Sequence, residues 1–128
     1  MVTSEQVSIT AIGVDIIEIA RIKQAVSRWQ DSFLNRIYTD TELSETRNVS
    51  SLAARFAAKE AVMKALGTGF RGIGWKEIEI NSADGGAPSI RLYGRAWVKS
   101  QELGLTRFKV SLTHSRKSAI AMVVAYAE

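Results

Sequence analysis

Residues 52–66 read LAARFAAKEAVMKAL, and this stretch is the strongest fold signal in the chain. Alanine, leucine, methionine, lysine and glutamate are all good helix formers, so the stretch predicts a helix. Ser50 or Ser51 can cap its start, and Gly67 is its expected stop. An apolar stripe interrupted by Lys59 runs along one face of this helix. The apolar members of the stripe are Leu52, Phe56, Met63 and Leu66.

The charged residues of this helix form a second pattern. Arg55 lies one turn before Lys59, and like charges at this spacing repel each other. Glu60 and Lys64 are another pair one turn apart, on an adjacent face. The helix thus presents one carboxylate beside three cations, which favours an anionic ligand. The alternative is a solvated helix in which the Glu60–Lys64 pair adds a little stability and Lys59 extends outward to water.

Before this helix, Ser8–Ile17 is an almost continuous run of β-branched and apolar residues. The run predicts a strand buried on both faces. Asp15 lies inside it, although aspartate is depleted in strands and an unpaired buried carboxylate is costly. Gly13, on the same face, leaves room for something to approach closely. The other interpretation is that the strand ends here and Asp15 caps the next helix.

The remaining segments alternate between helical and extended patterns. Three further helices are expected, over Glu18–Trp29, Thr39–Asn48 and Gly94–Leu103. Thr39 and Glu42 have the spacing of a capping box at the start of the second of these. Two pairs of strands are expected, Glu77–Asn81 with Ser89–Tyr93 and Arg107–Thr113 with Ala119–Tyr126. Asp84, Gly85, Gly86 and Pro88 provide the turn of the first pair. Interleaved helices and hairpin-like strands predict the α+β class, with a largely antiparallel sheet packed on helices.

The composition limits the kinds of site that this chain can form. It has 128 residues, of which 46% are hydrophobic and 23% charged, and this fits one globular domain. Without cysteine, a disulfide framework, thiol catalysis and cysteine-ligated metals are excluded. With one histidine, metal sites that need several imidazoles are excluded as well. Any metal must therefore lie on carboxylate oxygens, which favours magnesium, calcium or manganese.

Charge and hydropathy indicate the surroundings of the protein. Seventeen lysines and arginines against 13 acidic residues give a net charge of +4. This charge is compatible with an anionic partner, or serves solubility alone. No apolar window approaches the roughly 18 residues of a membrane span. Residues 1–8 carry no basic side chain, so we do not expect a secretory signal. We expect a cytoplasmic location.

Near the end of the chain, Val110–Ser115 has the alternating pattern of a strand. The last residues of this strand carry hydroxyl groups and an imidazole. Such groups suit contacts with phosphate or adenine. Thr113 and His114 are adjacent on a strand and point to opposite faces, so they cannot pair directly as a catalytic dyad. The alternative is a structural histidine at a strand end. The loop Gly67–Gly74 is rich in glycine but matches neither a P-loop nor a dinucleotide fingerprint, so we expect a flexible connection.

Three of these motifs, in this order, resemble the holo-[acyl-carrier-protein] synthase family, the small trimeric 4′-phosphopantetheinyl transferases. The first is Gly13–Glu18, a Gly-Val-Asp strand with a glutamate three positions further on. The second is Arg55–Gly67, which begins RFAAKEA and contains Lys64. The third is Val110–His114, VSLTH. The resemblance covers the chain from about residue 10 to its end, so we expect a single domain over residues 1–128 with residues 1–9 as a short extension.

The resemblance implies transfer of phosphopantetheine from coenzyme A to a serine of an acyl carrier protein, in fatty acid biosynthesis. It implies Mg²⁺ on Asp15 and Glu60, and contact of Lys64 with the phosphates. Either Glu60 or a water on the metal would take the serine proton. Lys59 would either lie along the coenzyme A face or orient Glu60. The further coenzyme A residues are Arg55 and Gly67, with Thr113, His114 and Ser115 at the nucleotide end.

The resemblance also implies the partners. An acidic carrier protein would dock on the basic first helix at Arg21, Gln24 and Arg28. The protein would be a homotrimer with its sites between subunits.

Two other classes of function fit parts of the sequence. A small nucleic-acid-binding module would use the basic balance and the three tryptophans. Against it, the basic residues are scattered, and Trp29 and Trp97 have the spacing of a helix core. A protein that kept the fold but lost the chemistry is the other alternative, and the presence of Asp15, Glu60 and Lys64 argues against it.

Overall fold

The structure, a computed structural model, describes residues 10–69, 71–82 and 86–128. The predicted extension and two of the predicted turn residues, Asp84 and Gly85, lie outside this part. The helices that it contains are α1 (Ile19–Trp29), α2 (Asp31–Ile37), α3 (Asp40–Glu45), α4 (Val49–Leu66) and α5 (Gly94–Glu102). The strands are β1 (Thr10–Glu18), β2 (Ile78–Asn81), β3 (Ser89–Leu92), β4 (Arg107–His114) and β5 (Ser118–Tyr126), and one 3-10 turn, Trp75–Glu77, precedes β2.

Helix α4 is the predicted central helix, and it begins three residues earlier than expected. Its cap is Asn48, whose side chain accepts a hydrogen bond of 3.2 Å from the Ser51 amide, so neither Ser50 nor Ser51 is the cap. Gly67 ends the helix in the left-handed conformation, as predicted. The helix is buried on almost every side and not along one stripe only, because its alanines allow neighbouring elements to approach from several directions.

Strands β1, β5 and β4 form an antiparallel sheet with β5 in the middle. Alternate residues of β1, namely Gly13, Asp15 and Ile17, face α4 and are buried. The matching residues of β5 are completely buried, among them Ala121 and Val123. Helix α4 therefore covers one face of this sheet.

The opposite face of the sheet, which we call the outer face, is apolar, and residues 10–69, 71–82 and 86–128 leave it uncovered. Its β1 members Ile12, Val14 and Ile16 are 63%, 49% and 62% exposed. On β5, Ile120 and Met122 are exposed beside them. The prediction that the first strand is buried on both faces is therefore wrong for the single chain, since only its α4 face is covered.

The two-stranded sheet of β2 and β3 and the helices around it complete the fold. The predicted α+β class is confirmed. Strands β2 and β3 pair antiparallel, as predicted. Helix α2 was not predicted, because it is short and follows directly after Gln30, a non-glycine residue with φ of 48°. The expectation of core positions for Trp29 and Trp97 is wrong, since their side chains are 56% and 52% exposed. Trp75 stacks on Phe56 with ring centroids 4.7 Å apart.

We expect Gly13→Ala to destabilise the protein by about 3 kcal/mol. A β-carbon at this position would lie 1.8 Å from the carbonyl oxygen of Ala61, which is helix backbone and cannot rotate away. Urea unfolding followed by circular dichroism measures the effect. Gly74→Ala is the matched control, because its β-carbon would find only ordinary contacts, at 3.6 Å or more. Equal stability of the two variants would contradict the close packing of β1 on α4.

Candidate functional site

The close approach of β1 to α4 brings Asp15 to the helix surface at Glu60 and Lys64. The Lys64 ammonium donates 2.9 Å to Oδ1 of Asp15 and 3.0 Å to the carbonyl of Val14. Lys64 thus pairs with Asp15 and does not form the expected ion pair with Glu60. We call Asp15, Glu60 and Lys64 the carboxylate cluster. Asp15 caps no helix, since the N-cap of α1 is Glu18 and no side chain caps it.

The electrostatics of the carboxylate cluster favour a bound cation. Burial raises the pKa of Glu60, and the charge of Asp15 and a hydrogen bond with it act in the same direction. The positive charges of Lys64 and Arg21 partly oppose this shift. Two carboxylates this close repel each other when both are ionised, and a divalent cation would stabilise both. Their oxygens are the ligands that Mg²⁺ prefers, so these two residues fit a magnesium ion.

A small pocket of about 60 Å³ opens beside the cluster and is lined by Glu60, Met63, Lys64 and Gly69. Gly67 ends α4 two residues before Gly69, which lines this pocket. Its left-handed backbone turns the chain away directly after the last helical turn. The glycine loop therefore forms one wall of the pocket, although Gly67 itself does not line it.

A second pocket, about 150 Å³ in volume, lies at the other end of α4. It contains Arg55, Thr113 and His114, which the sequence assigned to the same ligand. We call it the Arg55 pocket; its other lining residues are Ser51, Ala54, Ser82 and Leu112. Ser115 does not line it. The Ser115 hydroxyl accepts hydrogen bonds from the Lys117 and Ser118 amides and closes the β4–β5 turn.

The carboxylate cluster and the Arg55 pocket are separate within one chain. Asp15 and Leu112 lie in the same row of the sheet, on either side of Ala121. His114 is two residues further along β4. From the spacing of strands and residues, the Cα atoms of Asp15 and His114 are about 12 Å apart. The structure therefore divides the predicted site residues into two groups.

Lys59 belongs to neither group. It is completely buried, and its ammonium donates 2.8 Å to Oε1 of Glu42 and to the carbonyls of Trp75 and Ile78. These three acceptors use all three of its protons. The three expectations for Lys59 are therefore wrong. Its ammonium does not lie along a ligand face, does not orient Glu60 and does not extend to water. Burial lowers the pKa of Lys59, and the charge and hydrogen bond of Glu42 act against this shift.

The anions that relieve the repulsion between Arg55 and Lys59 come from the protein itself. They are Glu42 and Glu45 of α3. Sequence reasoning identified Glu42 only as part of a capping box with Thr39, which the structure confirms. It missed Glu45 entirely. The matching one-turn spacings of the two acids and the two bases were a signal, but the sequence does not show which helices face each other.

The predicted docking residues Arg21, Gln24 and Arg28 are all exposed on α1. Arg21 lies near enough to the carboxylate cluster to influence Glu60. The guanidinium of Arg28 lies over the ring of Trp29, 5.0 Å from its centroid. Neither arginine forms an ion pair within the part of the chain that the structure describes. This surface of α1 is therefore available to an acidic partner.

Neither a helix able to cross a membrane nor a group of three or more potential His, Cys, Asp or Glu metal ligands occurs in residues 10–69, 71–82 and 86–128. A magnesium ion on Asp15 and Glu60 would thus take its remaining ligands from phosphate oxygens and water, as this ion commonly does.

The chain is similar to known proteins over nearly its whole length. Residues 11–123 match the family described as the 4′-phosphopantetheinyl transferase superfamily. A protein of Dehalococcoides mccartyi named holo-[acyl-carrier-protein] synthase is 54% identical over 114 residues, which are 88% of this chain and 95% of that protein. One of the same name from Herpetosiphon aurantiacus is 50% identical over 120 residues, 88% of this chain and 94% of that protein.

The fold is similar to that of a solved member of this group. The crystal structure of Helicobacter pylori holo-[acyl-carrier-protein] synthase in complex with coenzyme A has a TM-score of 0.80 and 34% identity. The match covers 89% of this chain and 98% of that chain. The resemblance that rested on three motifs thus extends to the fold.

Proposed function

Since this chain belongs to the 4′-phosphopantetheinyl transferase superfamily, we propose that it is a transferase acting on coenzyme A. It moves the 4′-phosphopantetheine group to a serine hydroxyl of an apo acyl carrier protein and releases adenosine 3′,5′-bisphosphate. The carrier serves fatty acid biosynthesis. The observation that carries this proposal is the carboxylate cluster, which lies where the Gly13–Glu18 and Arg55–Gly67 motifs meet.

The transfer requires a base, an electrophilic phosphorus and a stabilised leaving group. The serine oxygen attacks the phosphorus that carries pantetheine, and the bond from this phosphorus to the bridging diphosphate oxygen breaks. Glu60 takes the serine proton, directly or through a water molecule, because its carboxylate lies in the carboxylate cluster beside Lys64. The half-exposed Lys64 ammonium lies at the same place and donates to the phosphate oxygens.

Asp15 and Glu60 would hold the Mg²⁺ ion. Held by these two carboxylates, the ion would polarise the diphosphate and neutralise the charge that develops on the leaving group. Asp15 is 8% exposed and is fixed in β1 by the sheet, so it can present its carboxylate without reorganisation. The role of the protein at this end is therefore to hold two oxygen ligands and one ammonium around the reacting phosphate.

The nucleotide end of coenzyme A would occupy the Arg55 pocket. Arg55 and His114 supply positive charge or donors for the 3′-phosphate, and Thr113 adds a hydroxyl. Ser115 and Gly67 would contact the coenzyme through their backbone, because the Ser115 hydroxyl is engaged in the β4–β5 turn and Gly67 has no side chain. The two groups of site residues thus correspond to two anionic parts of one substrate.

A homotrimer would explain the outer face. Monomeric proteins rarely expose a continuous apolar sheet face, and larger patches of this kind mark interfaces between proteins. Burial of Ile12, Val14, Ile16 and Met122 against other copies would also give β1 the two covered faces that its sequence predicts. Around a threefold axis, the Arg55 pocket of one copy would face the carboxylate cluster of the next.

The carrier protein would dock on α1. Arg21 lies beside the carboxylate cluster, and Gln24 and Arg28 follow along the helix, so an acidic carrier bound there would bring its serine close to Glu60. The exposure of Trp29 and Trp97 removes one argument against nucleic-acid binding. Family membership and the carboxylate cluster favour the transferase over this alternative and over a protein without chemistry. The cytoplasmic location stays a prediction.

Incubation with coenzyme A, Mg²⁺ and an apo acyl carrier protein should add the mass of one phosphopantetheine to the carrier. Chelation of the metal should stop the transfer. Glu60→Gln should lower kcat by about 100-fold or more, because it removes both the base and a metal ligand. Glu102→Gln, an exposed carboxylate on α5, is the matched control. No mass gain with several carriers would overturn the proposed function, and normal turnover of Glu60→Gln would remove Glu60 from the site.

Arg21→Glu should raise KM for the carrier about tenfold, and more at low salt, with little change in KM for coenzyme A. The control is Lys76→Glu, the same charge change at an exposed position outside α1. Initial rates at varied carrier and coenzyme A concentrations separate the two effects. If both KM values rose equally in Arg21→Glu, or if Lys76→Glu had the same effect, the docking assignment would be wrong.

Light scattering on the purified protein should show three times the mass of the chain. Met122→Glu places a charge at the centre of the outer face and should give the mass of one chain while the circular dichroism spectrum is retained. Gln101→Glu adds the same charge at an exposed position of α5, outside the sheet, and serves as a control for charge alone. A wild-type protein with the mass of a single chain would contradict the trimer without affecting the fold.

A further inference from the structure

Two carboxylates of α3 face two cations of α4. Glu42 pairs with Lys59 at 2.8 Å, and Glu45 pairs with Arg55 at 3.0 Å. Each member lies about one turn from its neighbour on the same helix. The result is a pair of parallel ion bridges between the two helices, an inner bridge at Lys59 and an outer bridge at Arg55.

The inner bridge is saturated. Both of its side chains are completely buried. Glu42 also accepts hydrogen bonds from the amides of Thr39 and Ile80, at 2.9 and 3.0 Å, while Lys59 uses all its protons as described above. No donor remains for a ligand, so the inner bridge connects α3, α4 and β2 and does nothing else.

The outer bridge is different because one of its members opens into a pocket. Arg55 lines the Arg55 pocket. The side chains of Arg55 and Glu45 are 5% and 14% exposed. Nη1 of Arg55 donates 3.0 Å to Oε1 of Glu45 and 3.0 Å to the carbonyl of Ile80. Nη2 donates 2.8 Å to the Ser82 hydroxyl. The same Glu45 oxygen accepts the Ser82 amide at 3.1 Å.

These contacts leave one edge of the guanidinium available. The group carries five N–H donors, and the Nε–H and one Nη2–H are not engaged in any hydrogen bond among the described residues. The nitrogens Nε and Nη2 lie side by side on one edge of the planar group. Such an edge matches two oxygens of a phosphate.

We propose that Glu45 is a positioning residue for coenzyme A. By holding the Nη1 end of Arg55, it keeps the Nε–Nη2 edge turned toward the 3′-phosphate of the nucleotide. Glu45 does not contact the substrate itself. Its contribution is preorganisation, because an arginine already held in its binding geometry loses less freedom when the phosphate arrives. The inference rests on the proposed function, since it takes coenzyme A as the ligand.

The test compares coenzyme A with 3′-dephospho-coenzyme A as substrates. The variants are Glu45→Ala, Glu45→Gln and, as a control on the same helix, Asp40→Asn. We expect the wild type to prefer coenzyme A. Glu45→Ala should raise KM for coenzyme A about tenfold with kcat unchanged, and should leave KM for the dephospho substrate nearly as it was. Glu45→Gln keeps an acceptor for Arg55 and should retain most of the preference, and Asp40→Asn should retain all of it.

Thermal unfolding of each variant separates positioning from stability. If Glu45→Ala lowered Tm but kept the full preference for the 3′-phosphate, the role of Glu45 would be structural and the inference overturned. A wild type without any preference would overturn it as well. If no transfer occurred at all, the proposed function would fail instead. In that case, calorimetric titration with adenosine 3′,5′-bisphosphate and with adenosine 5′-monophosphate decides. A preference for the bisphosphate that falls in Glu45→Ala supports the inference, and an unchanged or absent preference overturns it.

Discussion

The contact between β1 and α4 at Gly13 is the constraint on which the rest of the structure depends. Only a residue without a β-carbon allows the strand to pass this close to the carbonyl of Ala61. The same contact determines the chemistry, because Asp15 follows two residues later on the same face and meets Glu60 and Lys64 there. A longer distance between strand and helix would leave the two carboxylates too far apart to share one cation.

The second constraint is electrostatic and lies on the opposite side of α4. Burial of Lys59 and Arg55 would cost several kcal/mol each without partners. Helix α3 supplies both partners, Glu42 and Glu45, and the carbonyls of β2 and of the 3-10 turn complete the hydrogen bonds. Because a charge left alone at such a position is strongly unfavourable, this arrangement specifies how α3, α4 and β2 must pack.

Local signals in the sequence were sufficient for most elements. The alanine-rich run, the capping box at Thr39 and the alternation in β4 and β5 each depend on neighbours in sequence, and they predicted the fold class. What failed depends on tertiary contact. Lys59 was assigned to a ligand because no sequence pattern shows that Glu42 lies across from it. Burial of β1 on both faces was expected because apolar residues lie on both of its faces. The described residues of the single chain cover only one of them. Asp15 was found because it contradicts its local environment, and the motif resemblance joined it to Glu60.

The three tryptophans occupy three different environments, and this makes them optical reporters of separate regions. Trp29 and Trp97 are open to solvent, on α1 and α5, whereas Trp75 stacks on Phe56 and lies beside the carbonyls that hold Lys59. Indole emission depends on contact with water, so a soluble quencher reaches the two exposed rings more readily than the half-buried, stacked one. Emission from Trp75 therefore reports the integrity of the interior, while emission from Trp29 reports what happens on the surface of α1.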